Sequence, residues 1–128
     1  MDREKLLDLY KKYELEKTDV YKHQHYVIIT RQGIEKIAAK ENIAISYAVV
    51  ECEPNFAVVK AYAKKEEVQI ETFGSALKGA NYKDGNCNSW YVMEMAEKRA
   101  LSRSVLKLTG FYELGVFGED ESDDFKRK

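Results

Sequence analysis

The spacing of hydrophobic residues changes along this chain, and each change marks a different kind of structural element. Leu6, Leu9 and Tyr10 recur at helical spacing within residues 2–13, which predicts a short amphipathic helix. A polar stretch then predicts a connection, and the apolar residues 27–29 predict a short β-like segment. The first part of the chain therefore combines one helix with little extended structure.

A second helix is predicted directly after this segment, because Thr30 can cap its first turn and Ile34 and Ile37 share a face. From residue 43 onward the hydrophobic period falls to two, as in β-strands. Three such runs are separated by short turns, which predicts an antiparallel meander. The predicted strands comprise residues 43–52, 56–63 and 68–74.

The longest helical pattern runs from Trp90 to about Thr109 and contains neither glycine nor proline. Ser89 is suited to cap its start and Gly110 to end it. The glycine- and asparagine-rich residues 74–89 before it predict a long loop. The helix carries an apolar stripe that can pack on the strands, formed by Met93, Ala96, Ala100, Leu101, Val105 and Leu108.

These elements predict an α+β fold, in which a three-stranded antiparallel sheet is packed by the long C-terminal helix and by the shorter preceding helix. We assign residues 1–25 to an N-terminal helix and connection, and residues 26–112 to the core domain. Residues 113–128 are predicted to form an acidic, flexible tail. The tail holds six acidic residues and no basic residue up to residue 125.

The amino-acid composition indicates what class of protein this is, but it says little about which partners the protein binds. Hydrophobic residues make up 45% and aromatic residues 12%, as in a folded domain. The 21 basic and 22 acidic residues nearly cancel, so net charge indicates no partner. Cys52 and Cys87 cannot build a disulfide framework, and the charged N-terminus is unlike a signal peptide, which together predict a cytoplasmic protein. No run approaches the roughly 18 apolar residues of a membrane span.

Basic residues concentrate on one side of the long helix and in the loop before it. Arg99, Arg103 and Lys107 are spaced four apart, and Lys98 lies beside them. Residues 76–112 hold six basic and three acidic residues, a local charge of +3. Lysine and arginine neutralise phosphates, and aromatic faces stack on unpaired bases. The predicted nucleic-acid-binding residues are Lys78, Tyr82, Lys83, Lys98, Arg99, Arg103 and Lys107.

Some of these features have a second interpretation. Basic residues at this spacing also occur on solvated helix faces, paired with acids such as Glu94 and Glu97. Trp90 lies at the start of the long helix, where a tryptophan more often covers the core than stacks on a base. His23 and His25 lack further ligands at metal-site spacing, and no catalytic or nucleotide-binding motif is present. We therefore expect no metal, no cofactor and no enzymatic activity.

Three short segments resemble the Rad52-like single-strand annealing proteins, which include phage recombination proteins of the Erf and Sak type. They are FGSA at residues 73–76, AEKRAL at 96–101 and LKLTGF at 106–111. The resemblance covers residues 26–112 and implies a fold like that of Rad52 or of double-stranded-RNA-binding domains. It also implies a phage or mobile-element origin and oligomeric rings with single-stranded DNA in an outward basic groove. The implied phosphate contacts are Lys98, Arg99, Arg103 and Lys107.

The sequence thus predicts a single-stranded-DNA-binding protein of the recombination or annealing type, acting as a homo-oligomer. The acidic tail is a candidate contact for a replication or recombination protein, or it is simply a solvating tail. A different class of function remains open beside this one. The chain is alternatively a non-catalytic protein-interaction module, an oligomeric adaptor or inhibitor that acts through the N-terminal helix and the acidic tail.

Overall fold

Helices and two sheets make up the part of the chain that the structure, a computed structural model, describes: residues 3–24, 26–79 and 91–121. Its α-helices are α1 (Arg3–Lys12), α2 (Arg31–Lys40) and α3 (Val92–Thr109). Its strands are β1 (Val20–His23), β2 (Tyr26–Ile29), β3 (Ala44–Glu53), β4 (Phe56–Lys65), β5 (Val68–Leu77) and β6 (Val116–Gly118). The predicted α+β class is confirmed.

The larger sheet is the predicted antiparallel meander, with strand order β3-β4-β5. The smaller sheet has the order β1-β2-β6, in which β2 pairs antiparallel with β1 and parallel with β6. Only residues 27–29 of this smaller sheet were predicted. β1 lies in the stretch assigned to a connection, and β6 lies in the stretch assigned to the tail.

The last described residues are part of the fold. Val116 is fully buried and pairs in register with Val27, and the Glu119 carboxylate accepts a hydrogen bond from the backbone N–H of Arg31 at 3.2 Å. A strand of three residues gives almost no periodic signal, and its partner is distant in sequence, which is why the sequence did not reveal it. Residues 122–128 of the predicted tail lie outside the described residues.

Helix α1 packs on the body of the protein through Leu6, which is 5% exposed, and the turn that follows it packs there through Tyr13, which is 1% exposed. The Tyr13 hydroxyl donates a hydrogen bond to the Glu41 carboxylate, and the Lys12 ammonium lies 3.1 Å from the same group. The Tyr13 hydrogen bond, assisted by Lys12, lowers the pKa of Glu41 although burial acts to raise it. Tyr13 also belongs to the main hydrophobic core, which combines residues of β2, α2, α3 and the segment after α3. They include Ile29, Ile34, Ile37, Val105, Leu106 and Phe111.

Helix α3 approaches β5 so closely that only glycine, which has no Cβ atom, fits between them at residue 74. A Cβ atom at Gly74 would meet the backbone carbonyl oxygen of Ala96, and would lie 2.6 Å from the backbone nitrogen of Ala100. The Thr72 hydroxyl donates to the Ala100 carbonyl oxygen at 2.9 Å. Gly74 is therefore a strand residue beneath a helix, and the prediction that a loop begins there was wrong, since β5 continues to Leu77.

Candidate nucleic-acid interface

The β3-β4-β5 sheet buries only one of its two faces. On β4, Ala57, Val59, Ala61 and Ala63 are buried on the side where α3 packs. Alternate residues of a strand point to opposite faces, so the remaining β4 residues and their register partners share the other face, here called the open face. It carries Phe56, Val58, Lys60, Tyr62 and Lys64 from β4, Gln69, Glu71, Phe73, Ser75 and Leu77 from β5, and Ala44, Ser46, Ala48, Glu51 and Glu53 from β3.

A lysine lies between two aromatic rings on this face. Lys60 is the register partner of Phe73, and its ammonium lies 5.1 Å from the Tyr62 ring centroid and 5.5 Å from the Phe73 ring centroid. These distances are within the range of cation–π attraction. Phe73 is 48% exposed. The cluster therefore offers a positive charge and an accessible aromatic surface within one small area.

Glu71 completes this cluster, because its Oε2 lies 3.2 Å from the Lys60 ammonium. The hydrogen bond from Lys60 to this carboxylate raises the pKa of Lys60, so the lysine remains charged at neutral pH. Cation, carboxylate and rings thus lie together on the exposed side of β4 and β5.

Sequence reasoning did not single out this cluster, although the strand that holds it was predicted. The signal was present in β4, where small residues such as Ala61 and Ala63 alternate with the larger Lys60, Tyr62 and Lys64. Small residues on the inner side allow α3 to approach, and this leaves the large residues on the other side. Two such strands side by side place their outer residues in one patch, which periodicity within a single strand does not show.

Arg99 differs from its sequence interpretation, since it is 7% exposed and does not lie on an exposed basic ridge. Its Nη1 donates to the Ser75 carbonyl oxygen at 2.7 Å, and its Nε donates to the Asp120 carbonyl oxygen at 3.2 Å. The spacing placed Arg99 correctly on the helix, but the C-terminal segment that folds over it was not predicted. Its burial and these two hydrogen bonds leave Arg99 little access to a phosphate.

Arg103 and Lys107 are more accessible than Arg99. The Nη1 of Arg103 donates to the Phe73 carbonyl oxygen at 3.0 Å, which places this partly exposed guanidinium at β5 beside an aromatic residue of the open face. Lys107 is exposed, with its ammonium 5.4 Å from the Tyr112 ring centroid. Arg99, Arg103 and Lys107 are spaced four apart on α3, yet the first is buried, the second is partly exposed at β5 and the third is exposed beside Tyr112.

The other predicted site residues are scattered. Lys98 is partly exposed, and its charge counteracts the burial that raises the pKa of Asp120. The backbone N–H of Lys78 donates to the Asn55 carbonyl oxygen at 2.7 Å, at the end of the β4-β5 pair. Tyr82 and Lys83 lie outside the described residues. The structure thus brings Arg103 to the outer edge of β5, beside the open face, and leaves Lys98 near the C-terminal segment.

No protein-family model, curated protein or solved structure matches the chain. Within residues 3–24, 26–79 and 91–121, no group of three histidine, cysteine or acidic residues could hold a metal ion. None of the helices in those ranges is both long and apolar enough to cross a lipid bilayer. A functional interpretation therefore depends on the open face and on the basic residues beside it.

Proposed function

We propose that the protein binds single-stranded DNA on the open face of the β3-β4-β5 sheet. The observation that carries this proposal is the placement of the Lys60 ammonium against the Tyr62 and Phe73 rings. Unpaired bases stack on exposed aromatic side chains, and each stacked base contributes about 1–3 kcal/mol. A nearby lysine adds attraction for the phosphates between the bases.

A single strand suits this surface better than a duplex. The bases of a duplex are stacked on one another, so protein aromatic rings reach them only after unpairing. The partly exposed Arg103 lies at the β5 side of the face through its bond to the Phe73 carbonyl oxygen, and Lys107 follows on the same helix. Arg103 therefore adds positive charge at the β5 border of the aromatic patch, where a phosphate backbone would run.

The biological role is part of the same proposal. The resemblance of residues 26–112 to Rad52-like annealing proteins favours recombination or strand annealing, performed by a homo-oligomer in the cytoplasm. Binding of this kind needs no catalytic group, which agrees with the expectation that the chain is not an enzyme. A strand-annealing assay becomes informative once binding has been measured.

The test is fluorescence anisotropy of a labelled oligothymidine at low and moderate salt. We expect the wild type to bind, and the Tyr62→Ala/Phe73→Ala double variant to bind at least about tenfold more weakly because two stacking surfaces are lost. Leu7→Ala is the matched control, since Leu7 on α1 is also 48% exposed and lies beside Val20 and Val27 of the smaller sheet. Unchanged binding by the folded double variant would exclude the open face as the binding surface. A labelled oligouridine in parallel tests for RNA.

The alternative function, a protein-interaction module, depended on the N-terminal helix and the acidic tail. Leu6 of this helix and Tyr13 directly after it are buried in the core of the chain itself. Residues 116–121 of the predicted tail contact α2 and α3. Since both segments stabilise the fold, the alternative has less support than binding at the open face.

A further inference from the structure

The Glu71 carboxylate lies beside the Lys60 ammonium, where a phosphate of a bound strand would also have to lie to contact this lysine. The Lys60 side chain is 24% exposed and the Glu71 side chain is 51% exposed. The lysine therefore has little contact with solvent, and an exposed anion of its own chain already lies 3.2 Å from its ammonium. The aromatic rings of Tyr62 and Phe73 limit the remaining approaches.

We infer that Glu71 competes with DNA phosphate for Lys60 and thereby sets both the affinity and the salt dependence of the open face. This inference rests on the proposed function. A phosphate that reaches Lys60 must displace the carboxylate or share the ammonium with it. In either case the gain from the new contact is offset by the weakening of the old one.

Removal of the Glu71 charge could also strengthen binding simply by reducing repulsion of the DNA phosphates. The salt dependence of binding distinguishes the release of Lys60 from this weaker repulsion. Each phosphate that a protein cation neutralises on a single strand contributes about −0.7 to the slope of log affinity against log salt. While Glu71 holds Lys60, the lysine neutralises little phosphate charge. Removing the carboxylate should make Lys60 a full phosphate contact, so the slope should become steeper by about 0.7.

The decisive comparison is Glu71→Gln against Glu53→Gln. Both changes remove one negative charge from the open face, but the described contacts of Glu53 include no ion pair with a lysine. We expect Glu71→Gln to bind oligothymidine about two to five times more tightly at low salt, the range that one exposed ion pair supports. We expect Glu53→Gln to change affinity by less than half of that and to keep the wild-type slope.

Lys60→Met provides the second arm, because competition for the lysine requires the lysine. In the Lys60→Met background, adding Glu71→Gln should bring neither tighter binding nor a steeper slope. The three side chains changed in this comparison are all at least partly exposed, and circular dichroism of thermal unfolding verifies that each variant is folded.

The inference would be overturned by equal effects of Glu71→Gln and Glu53→Gln, or by a gain from Glu71→Gln that persists without Lys60. If wild type binds and loses binding on Tyr62→Ala/Phe73→Ala while Glu71→Gln changes nothing, only the competition is refuted. If neither wild type nor Glu71→Gln binds at low salt, the proposed function fails together with the inference.

Discussion

The two outer strands of the β3-β4-β5 sheet are protected in different ways. On β5, Arg99 and Arg103 of α3 donate hydrogen bonds to the carbonyl oxygens of Ser75 and Phe73. Residues two apart direct their carbonyls to the same side of a strand, and β4 occupies the inner side, so these guanidinium groups cover the outer edge of β5. The β5 edge is thus sealed by side chains of a packed helix.

The β3 edge has a different protection. Within the described residues β3 pairs with β4 alone, and its register shifts between Val49 and Glu51, which makes Val50 the extra residue of a bulge. Glu51 and Glu53 follow the bulge. Bulges and charged residues both discourage pairing of an exposed edge with another chain. A sheet can therefore protect one edge by burial of cations and the other by irregularity and negative charge.

This difference shows why basic residues on a helix do not all have the same role. Arg99 and Arg103 share a helix face, yet Arg99 is buried beneath the C-terminal segment whereas Arg103 is partly exposed. Arg99 therefore mainly stabilises the packing at the β5 edge, whereas Arg103 is still accessible to a ligand. The effects of substitutions should therefore differ between the two edges and between the two arginines, and three predictions test this.

The largest effect is expected at Gly74, on the sealed side. Gly74→Ala places a methyl group against the backbone of α3 at Ala96 and Ala100, so we expect a loss of about 3 kcal/mol or more in unfolding free energy. The matched change on β3 is Ser46→Thr, which also adds one methyl group, at an exposed position, and should cost less than about 0.5 kcal/mol. Urea unfolding followed by circular dichroism measures both, and equal losses would contradict the tight contact.

A smaller effect separates the two arginines. Arg99→Ala leaves the carbonyl oxygens of Ser75 and Asp120 without their guanidinium donor, so we expect a loss of about 2–3 kcal/mol in unfolding free energy. Arg103→Ala removes a bond from a partly exposed side chain and should cost about 1 kcal/mol or less. If Arg103→Ala proves the more destabilising change, the assignment of Arg99 as the structural residue is wrong.

The features that could be predicted from the sequence are those with a local physical cause. The Thr30 hydroxyl accepts from the Gly33 backbone N–H at 3.2 Å, as expected of a cap. Gly110 ends α3 with a φ of 88°, a conformation that glycine adopts without strain. The meander followed from alternation within each strand. All of these signals lie within a few residues of the feature that they specify.

The features that could not be predicted depend on residues far apart in the sequence. Arg99 is buried because the C-terminal segment folds over it and accepts its hydrogen bond at Asp120. The pairing of β6 with β2 holds that segment in place. The Lys60–Phe73 contact requires the β4-β5 register. Neither the helix spacing nor the local charge of the chain contains this information, so the basic residues were assigned as one group and the open face was missed.

The smallest effect is expected on the β3 edge. Val50 is 52% exposed at the bulge, so Val50→Lys should change the unfolding free energy by less than about 0.5 kcal/mol, and the added charge should reduce any pairing between chains. Urea unfolding and sedimentation velocity measure the two effects. A loss above about 1 kcal/mol would show that another part of the folded protein covers Val50. The β3 edge would then be sealed like β5, and the contrast between the two edges would disappear.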